Sequence, residues 1–339
     1  MKAKWGLQQH LEPIMPITRR ILCQSLSIGL LGVAATSRGY AQVAPTLKLV
    51  VGFPPGGSVD VAARQLGESL RASGYTVVVE NKAGAAGKLA VDAVRSAVPN
   101  GETLMVAPNS VLAMEAALYA KPRYEFFTEF APVSAISQNA QALAVGAGIP
   151  VRTLAEFLVW CRQHPDKASY ATPGQGTPFQ FLGTELAKLA NTPMTHVPYR
   201  GGSQALPDVI SGQVASFFST VPNLAPFHRR GQLRMLALTA PQRIPSFADI
   251  PTFAELGYPA LTDMDQFGLF APIKTPTDVL TRLSRDVAAA VNAPALREAF
   301  AKIEFEATSS TPQEHLARMR ETAARWDALI KKSGFQPNA

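Results

Sequence analysis

The side chains in this sequence with reactive chemistry are not arranged to break bonds. His164, His196, His228 and His315 share no spacing that metal ligation requires, and His196 stands among apolar residues of a predicted strand, where a hydrogen-bonded structural role is the simpler reading. No Gly-x-Ser-x-Gly elbow occurs. GAAGK (Gly84 to Lys88) runs into Leu89 without the leading glycine of a phosphate loop, and Gly174-Gln-Gly176 lacks the last glycine of a dinucleotide fingerprint. What recurs instead is an apolar run, a tight loop and an amphipathic segment. The clearest case is LKLVVGFPPGGSVD (Leu47 to Asp60), where Phe53, Pro54, Pro55, Gly56 and Gly57 lead from a strand into a helix striped by Val59, Ala62, Ala63, Leu66 and Leu70. Glycines let the backbone approach a ligand closely, and the first-turn N–H groups of the helix have no intrahelical partner. Such a site favours an anion.

The pattern repeats along the chain. Asn81 to Gly87, containing Ala85, follows the strand Thr76 to Glu80, and Pro108-Asn109-Ser110 follows Thr103 to Ala107. Pro173 to Pro178, with Gly176 and Thr177, precedes a helix that carries Gln180. Gln138-Asn139 interrupts a long apolar stretch, and Ser219-Thr220 ends another. No arginine or lysine lies within 53–58, 109–110 or 174–180, so a carboxylate held there is met by backbone N–H groups, hydroxyls and water. Ser58 and Asp60 read equally well as a helix cap and a first-turn charge. Ser203 reads as a cap, and for Ser110 and Thr177 capping and binding are compatible. Gly57→Pro is therefore expected to weaken binding more than Lys88→Ala, and the neutral Gln180 to set selectivity.

Three strand–loop–helix units in succession imply a parallel sheet with helices on its faces, its loops converging at one edge. Phe130 to Val145 (FAPVSAISQNAQALAV) reads as two strand-like runs carrying the chain into a second domain. There the alternation restarts, from a helix opened by the Thr153/Glu156 capping box to the strand Leu233 to Thr239. Arg243 to Pro259 is a return linker, Gln266 to Pro272 rejoins the first sheet, and the remainder is helical. The expected domains are 45–140 with 262–339, and 141–261, joined by two crossings that form a hinge.

Composition sets the class. The 339 residues are 47% hydrophobic and 17% charged, ordinary for a globular chain. Arg19-Arg20, the apolar run Ile21 to Ala35 and the small-residue site ending at Ala41 read as an export signal over 1–41, with Met15 as the start and a Sec or twin-arginine route. Cys23 lacks the small preceding residues of a lipoprotein site. The signal carries five basic residues against one acid, so its removal lowers the net charge from +7 to +3. No basic and aromatic interleaving appears, and nucleic acid is excluded as a partner. Cys161 is then alone, read as a buried thiol.

The segments GFPPGGSVDVAAR (Gly52 to Arg64), VVVENKAGAAGKLAVDAV (Val77 to Val94), FAPVSAIS (Phe130 to Ser137), THVPYRGGSQALPDVISGQV (Thr195 to Val214), LRMLALTA (Leu233 to Ala240) and DIPTFAELGYP (Asp249 to Pro259) resemble, in this order, the Bug family of periplasmic solute-binding proteins of tripartite tricarboxylate transporters. The resemblance implies an α/β, two-domain periplasmic-binding-protein fold of the type II-like kind, with a ligand cleft between the domains. It implies a monomer in the periplasm that binds a small carboxylate without a cofactor or metal and delivers it to membrane transporter subunits. The ligand-binding residues expected on this basis are Phe53, Pro55, Gly56, Gly57, Asp60, Ala85, Ser110, Gln138, Gly176, Thr177, Gln180, Ser219 and Thr220. The chain departs from the family where a histidine is usual (Gln180), where an acidic or amide pair is usual (Ser219-Thr220), and near Gln266, where a tryptophan is usual. An exported esterase-like hydrolase with a serine assembled only in three dimensions, and a ligand sensor for signalling, are the alternatives.

Overall fold

A computed structural model describes residues 45–333; the export-signal reading, with Met15 and Cys23, lies outside the described residues. Alternating apolar positions make β1 (Thr46–Val51), and the stripe anticipated after it packs α1 (Ser58–Ala72) onto the sheet through Val59, Ala62, Ala63, Leu66 and Leu70. Next come β2 (Thr76–Asn81), α2 (Lys88–Arg95) and β3 (Thr103–Pro108), with β2, β1 and β3 parallel in that order. The single helix expected after β3 is two short ones, α3 (Asn109–Ala113) and α4 (Glu115–Leu118), followed by α5 (Phe126–Glu129).

The two apolar runs expected over Phe130 to Val145 are one strand, β4 (Phe130–Gly146), buried along its length except at half-buried Gln138. Strands covered on both faces read as near-continuous apolar runs, which hides their length. Beyond β4 lie α6 (Leu154–Gln163), β5 (Ser169–Thr172), α7 (Pro178–Leu189), β6 (Thr195–Pro198), α8 (Gly202–Ile210), β7 (Ser216–Thr220), α9 (Val221–Arg229) and β8 (Leu233–Leu238). The chain returns through β9 (Met264–Pro272) and ends in α10 (Thr277–Asn292), α11 (Pro294–Lys302), β10 (Glu306–Ala307) and α12 (Pro312–Ser333). The Thr153 hydroxyl accepts the Glu156 N–H at 3.2 Å. Thr311 and Glu314 close a full box, at 3.2 and 2.8 Å.

Strand β4 serves both sheet systems. Its first part pairs antiparallel with β9, which also pairs β3, and its last part pairs with β7 on one edge and β8 on the other. Strands β7, β5 and β6 continue the second system in parallel. Apolar clusters cover both faces of each system, and a smaller one, Met114, Leu118, Phe181, Trp326 and Ile330, ties α12 to α7 and the segment after β3. Among the described residues no helix is long and apolar enough to cross a membrane.

Candidate functional site

The carboxyl ends of β1, β3, β5 and β7 and the amino-terminal part of β9 face one cleft. Phe53, Gly57, Ser58 and Val59 line it from the first loop and α1, and Pro108 and Val111 from the end of β3 and α3. Pro173, Thr177 and Phe179 come from the α7 entry, Gly202 from α8, Ser219, Thr220 and Asn223 from the β7–α9 junction, and Asp265 and Phe267 from β9. Helices α1, α7, α8 and α9 all begin at this lining, and none has a side chain capping its N-terminus. Their first-turn N–H groups and partial positive charge are left for whatever occupies the cleft. Among the described residues no lysine or arginine contributes to the lining.

Backbone conformation and side-chain braces fix the first loop. Gly56 has φ +79°, which an L-residue adopts only with strain. Its N–H donates to Asp60 Oδ2 at 2.9 Å, so that donor is occupied. Asn81 Nδ2 donates to Asp60 Oδ1 at 2.8 Å and to the Phe53 carbonyl at 3.0 Å, and Arg64 Nε donates to Asp60 Oδ2 at 2.9 Å. Burial opposes ionisation of Asp60, but the bonds from Arg64, Gly56 and Asn81 outweigh it and hold the carboxyl below its ordinary value. The Gly57 N–H turns back to the Pro54 carbonyl at 3.4 Å, and Gly57, not Ser58, is the N-cap residue. The N–H groups facing the cleft from this loop are therefore those of Ser58 and Val59, the first helical residues.

The loop before α7 is braced in the same manner. Gln180 Oε1 accepts the Gly176 N–H at 2.7 Å, and the Thr177 hydroxyl donates to the Gly174 carbonyl at 2.7 Å. The Thr172 hydroxyl lies 3.0 Å from Gly174 O and 2.7 Å from His196 Nε2. Burial pushes His196 down to about 4, so this imidazole is a neutral structural group. Cys161 is buried, its thiol pushed up to about 12 by burial.

Of the residues singled out from sequence, Phe53, Gly57, Thr177, Ser219 and Thr220 lie on the lining. Pro55, Gly56, Asp60, Ala85, Ser110, Gln138, Gly176 and Gln180 do not. Asp60, Gly176 and Gln180 are engaged inside their own loops, because an acceptor side chain in the first helical turn reaches the N–H four residues before it. Ala85, at φ +48°, is exposed in the turn ahead of α2. Gln138 accepts from Gln266 Nε2 at 3.2 Å. Ser110 bonds Asp265 through both its N–H (3.2 Å) and its hydroxyl.

Asp265, Asn223, Phe179, Phe267 and Gly202 were not anticipated. An acid two residues from another, Asp263-Met264-Asp265, just ahead of an apolar strand was the available signal for Asp265. Gly202 is explained only by packing: a Cβ there would stand 2.6 Å from Asn223 Nδ2, itself bonded to the Ser219 hydroxyl at 3.0 Å.

The lips of the cleft touch. The Ser203 hydroxyl donates to Pro55 O at 3.4 Å, and Gly201, at φ +145°, lets the α8 loop pass Pro54 where a Cβ would come within 2.5 Å of Cδ. The cavity behind them is about 40 Å³, room for a few waters.

The sequence profile of the tripartite tricarboxylate transporter family receptor matches residues 62–335. Protein BugT of Bordetella pertussis is 30% identical over 94% of this chain and 99% of its own length. The periplasmic binding protein BugD superimposes with a TM-score of 0.81 at 28% identity, over 85% of this chain and 97% of that one. An R. palustris protein solved with adipate gives 0.82 at 28%, over 86% and 98%.

Proposed function

Because this chain belongs to the tripartite tricarboxylate transporter family of receptors, which are solute-binding proteins rather than enzymes, we propose that it captures a small carboxylated solute in the cleft and passes it to membrane subunits of such a transporter. The observation that carries the reading is the meeting of four uncapped helix N-termini at a lining without lysine or arginine. Four N-termini oppose one carboxylate with donors already oriented, and each charge-assisted hydrogen bond contributes about 1.5–3 kcal/mol. Relatives solved with adipate and with malate support a carboxylate as the solute class.

The protein acts in the periplasm as a monomer, its chain starting near Gln42 after export. The segments 45–140 with 262–339, and 141–261, move as two lobes about β4 and the return into β9, since the touching lips leave no room for an organic acid to enter. Among the described residues no histidine lies on the lining, and the carboxylate there, Asp265, takes the hydroxyl of Ser110, which is not on it, while the Ser219 hydroxyl takes Asn223, so neither serine of the lining is paired with a base, which disfavours the hydrolase.

Calorimetry of the exported protein against mono-, di- and tricarboxylates and amino acids is expected to show one saturable ligand, recovered unaltered. Turnover of any of them, abolished by changing one serine, would sink the receptor reading in favour of a hydrolase.

A further inference from the structure

Among the described residues Asp265 is the one charged side chain on the lining, and no cation stands beside it there. It is 7% exposed. Its Oδ1 accepts the N–H groups of Ser110 at 3.2 Å and Gln266 at 2.9 Å, and its Oδ2 accepts the Ser110 hydroxyl. A carboxylate has about four acceptor positions, so one on Oδ2 is uncommitted. Burial, with Asp263 adding to it, pushes this carboxyl up to about 7. A buried carboxylate without a counter-charge is costly, and it either takes a proton or takes a cation.

A second, independent feature adjoins it. Asn139 on β4 lies opposite Asp265 on β9, and side chains of opposed residues share a face with Cβ atoms about 5 Å apart. Asn139 is 2% exposed, and among the described residues neither atom of its amide has a partner. Thr220, opposite Gln141 two residues along β4 and on the same face by strand alternation, lines the cleft with a buried hydroxyl that also has none. Buried polar atoms are nearly always paired, so the unpaired Thr220 hydroxyl on the lining, with the Asn139 amide just behind it across from Asp265, marks where ligand atoms go when the lobes part.

We propose that the solute is a zwitterion: besides the carboxylate met by the helix N-termini it carries a protonated amine, received by Asp265 Oδ2 and Asn139 Oδ1. This rests on the receptor reading above and narrows its solute class to amino acids and ω-amino acids. The ammonium supplies the missing counter-charge and donates to acceptors that otherwise have no donor. A purely anionic solute would set like charge against Asp265 in a low-dielectric site and leave Asn139 half satisfied.

The test compares matched pairs by calorimetry at pH 7.5: glutarate against glutamate, adipate against 2-aminoadipate, and hexanoate against 6-aminohexanoate, with wild type and Asp265→Asn. In at least one pair wild type is expected to bind the amino member tenfold or more tightly, and Asp265→Asn to lose that margin. Equal or tighter binding of the deaminated member in every pair overturns the proposal, and needs only wild-type protein should the variant fail to fold. In that case the carboxylate reading survives. Binding of no panel acid at all defeats both.

Discussion

At the scale of single residues, binding and bracing have been divided between neighbours. In the first loop Asp60 spends its carboxylate on Gly56, Asn81 and Arg64, and in the α7 loop Gln180 spends its amide oxygen on Gly176. Each side chain holds a loop open so that bare N–H groups stand at the helix entry. Ser58→Pro tests this directly. Proline is tolerated at the first helical position, and Gly57, at φ −77° and ψ 164°, already has the extended conformation a following proline needs. One cleft-facing N–H is deleted together with the Ser58 hydroxyl, and Ser58→Ala measures the share of the hydroxyl alone. The melting temperature is expected to hold within about 2 °C while affinity for the carboxylate falls roughly tenfold, about 1.4 kcal/mol. Unchanged affinity in a stable variant would move the anion site off α1. Lys88, which sequence offers as an inert control, is not inert: its Nζ stands 3.0 Å from Glu115 Oε1, and Glu115 is 3% exposed. Lys88→Ala leaves this buried carboxylate with the Arg123 N–H but without its charge partner, so its expected effect is on unfolding midpoint, a loss of about 2–3 kcal/mol, with affinity nearly kept.

Among the elements, β4 does the most joining. It changes neighbours between Ala140 and Gln141, and it is there that Ser137, Asn139 and Gln141 are buried in an otherwise apolar strand. Gln141 Nε2 donates to Asp263 Oδ2 at 2.6 Å, and Arg325 of α12 pairs with the other oxygen of the same carboxylate. The last helix is thereby pinned to the crossing point. Arg325→Ala removes the charge partner of an acid that is 4% exposed, and the expected cost is about 1.5–3 kcal/mol, read as a lower urea midpoint with an unchanged slope. A shift below about 0.5 kcal/mol would mean that Asp263 is held neutral. How much of this the sequence discloses follows from its physical content. The β1–α1 unit is legible because its stripe has one period and its loop is glycine and proline. The length of β4 is not, since the polar Gln138-Asn139 that breaks its apolar run lies at the crossing point inside the strand rather than in a turn. Five of the anticipated site residues line the cleft, whereas Asp265 and Asn223 owe their place to strand register and to a helix entry that local composition does not encode.

For the molecule as a whole, the buried titratable groups pull stability in opposite directions with pH. His315, 1% exposed behind Gly268, bonds Asn109 Oδ1 at 3.0 Å and is pushed down to about 4 by burial, with Arg318 adding to it. The native imidazole is neutral while the unfolded one titrates near 6.5, so the unfolded chain binds more protons below that pH. Its contribution is complete above about 6.5 and is lost as pH falls through 4, on the order of 3 kcal/mol in all. His196 acts in the same sense. Asp265 acts in the other. Its native carboxyl holds a proton up to about 7 that the unfolded chain releases near 3.8, so stability from this group is complete below 3.8 and lost as pH rises to 7. Gly268 ties the groups together, because a Cβ there would meet both the His315 ring and Asn109 Oδ1, and Asn109 precedes the Ser110 that bonds Asp265. Urea midpoints of ligand-free protein at pH 4.5, 6 and 7.5 separate the two. Relative to Asp265→Asn, wild type is expected to lose stability steadily from pH 4.5 to 7.5. Relative to His315→Gln, it is expected to gain over the lower half of that range. A zwitterionic ligand that pairs Asp265 should abolish the first trend at saturation and leave the second untouched, whereas a purely anionic ligand should keep Asp265 protonated and leave both in place.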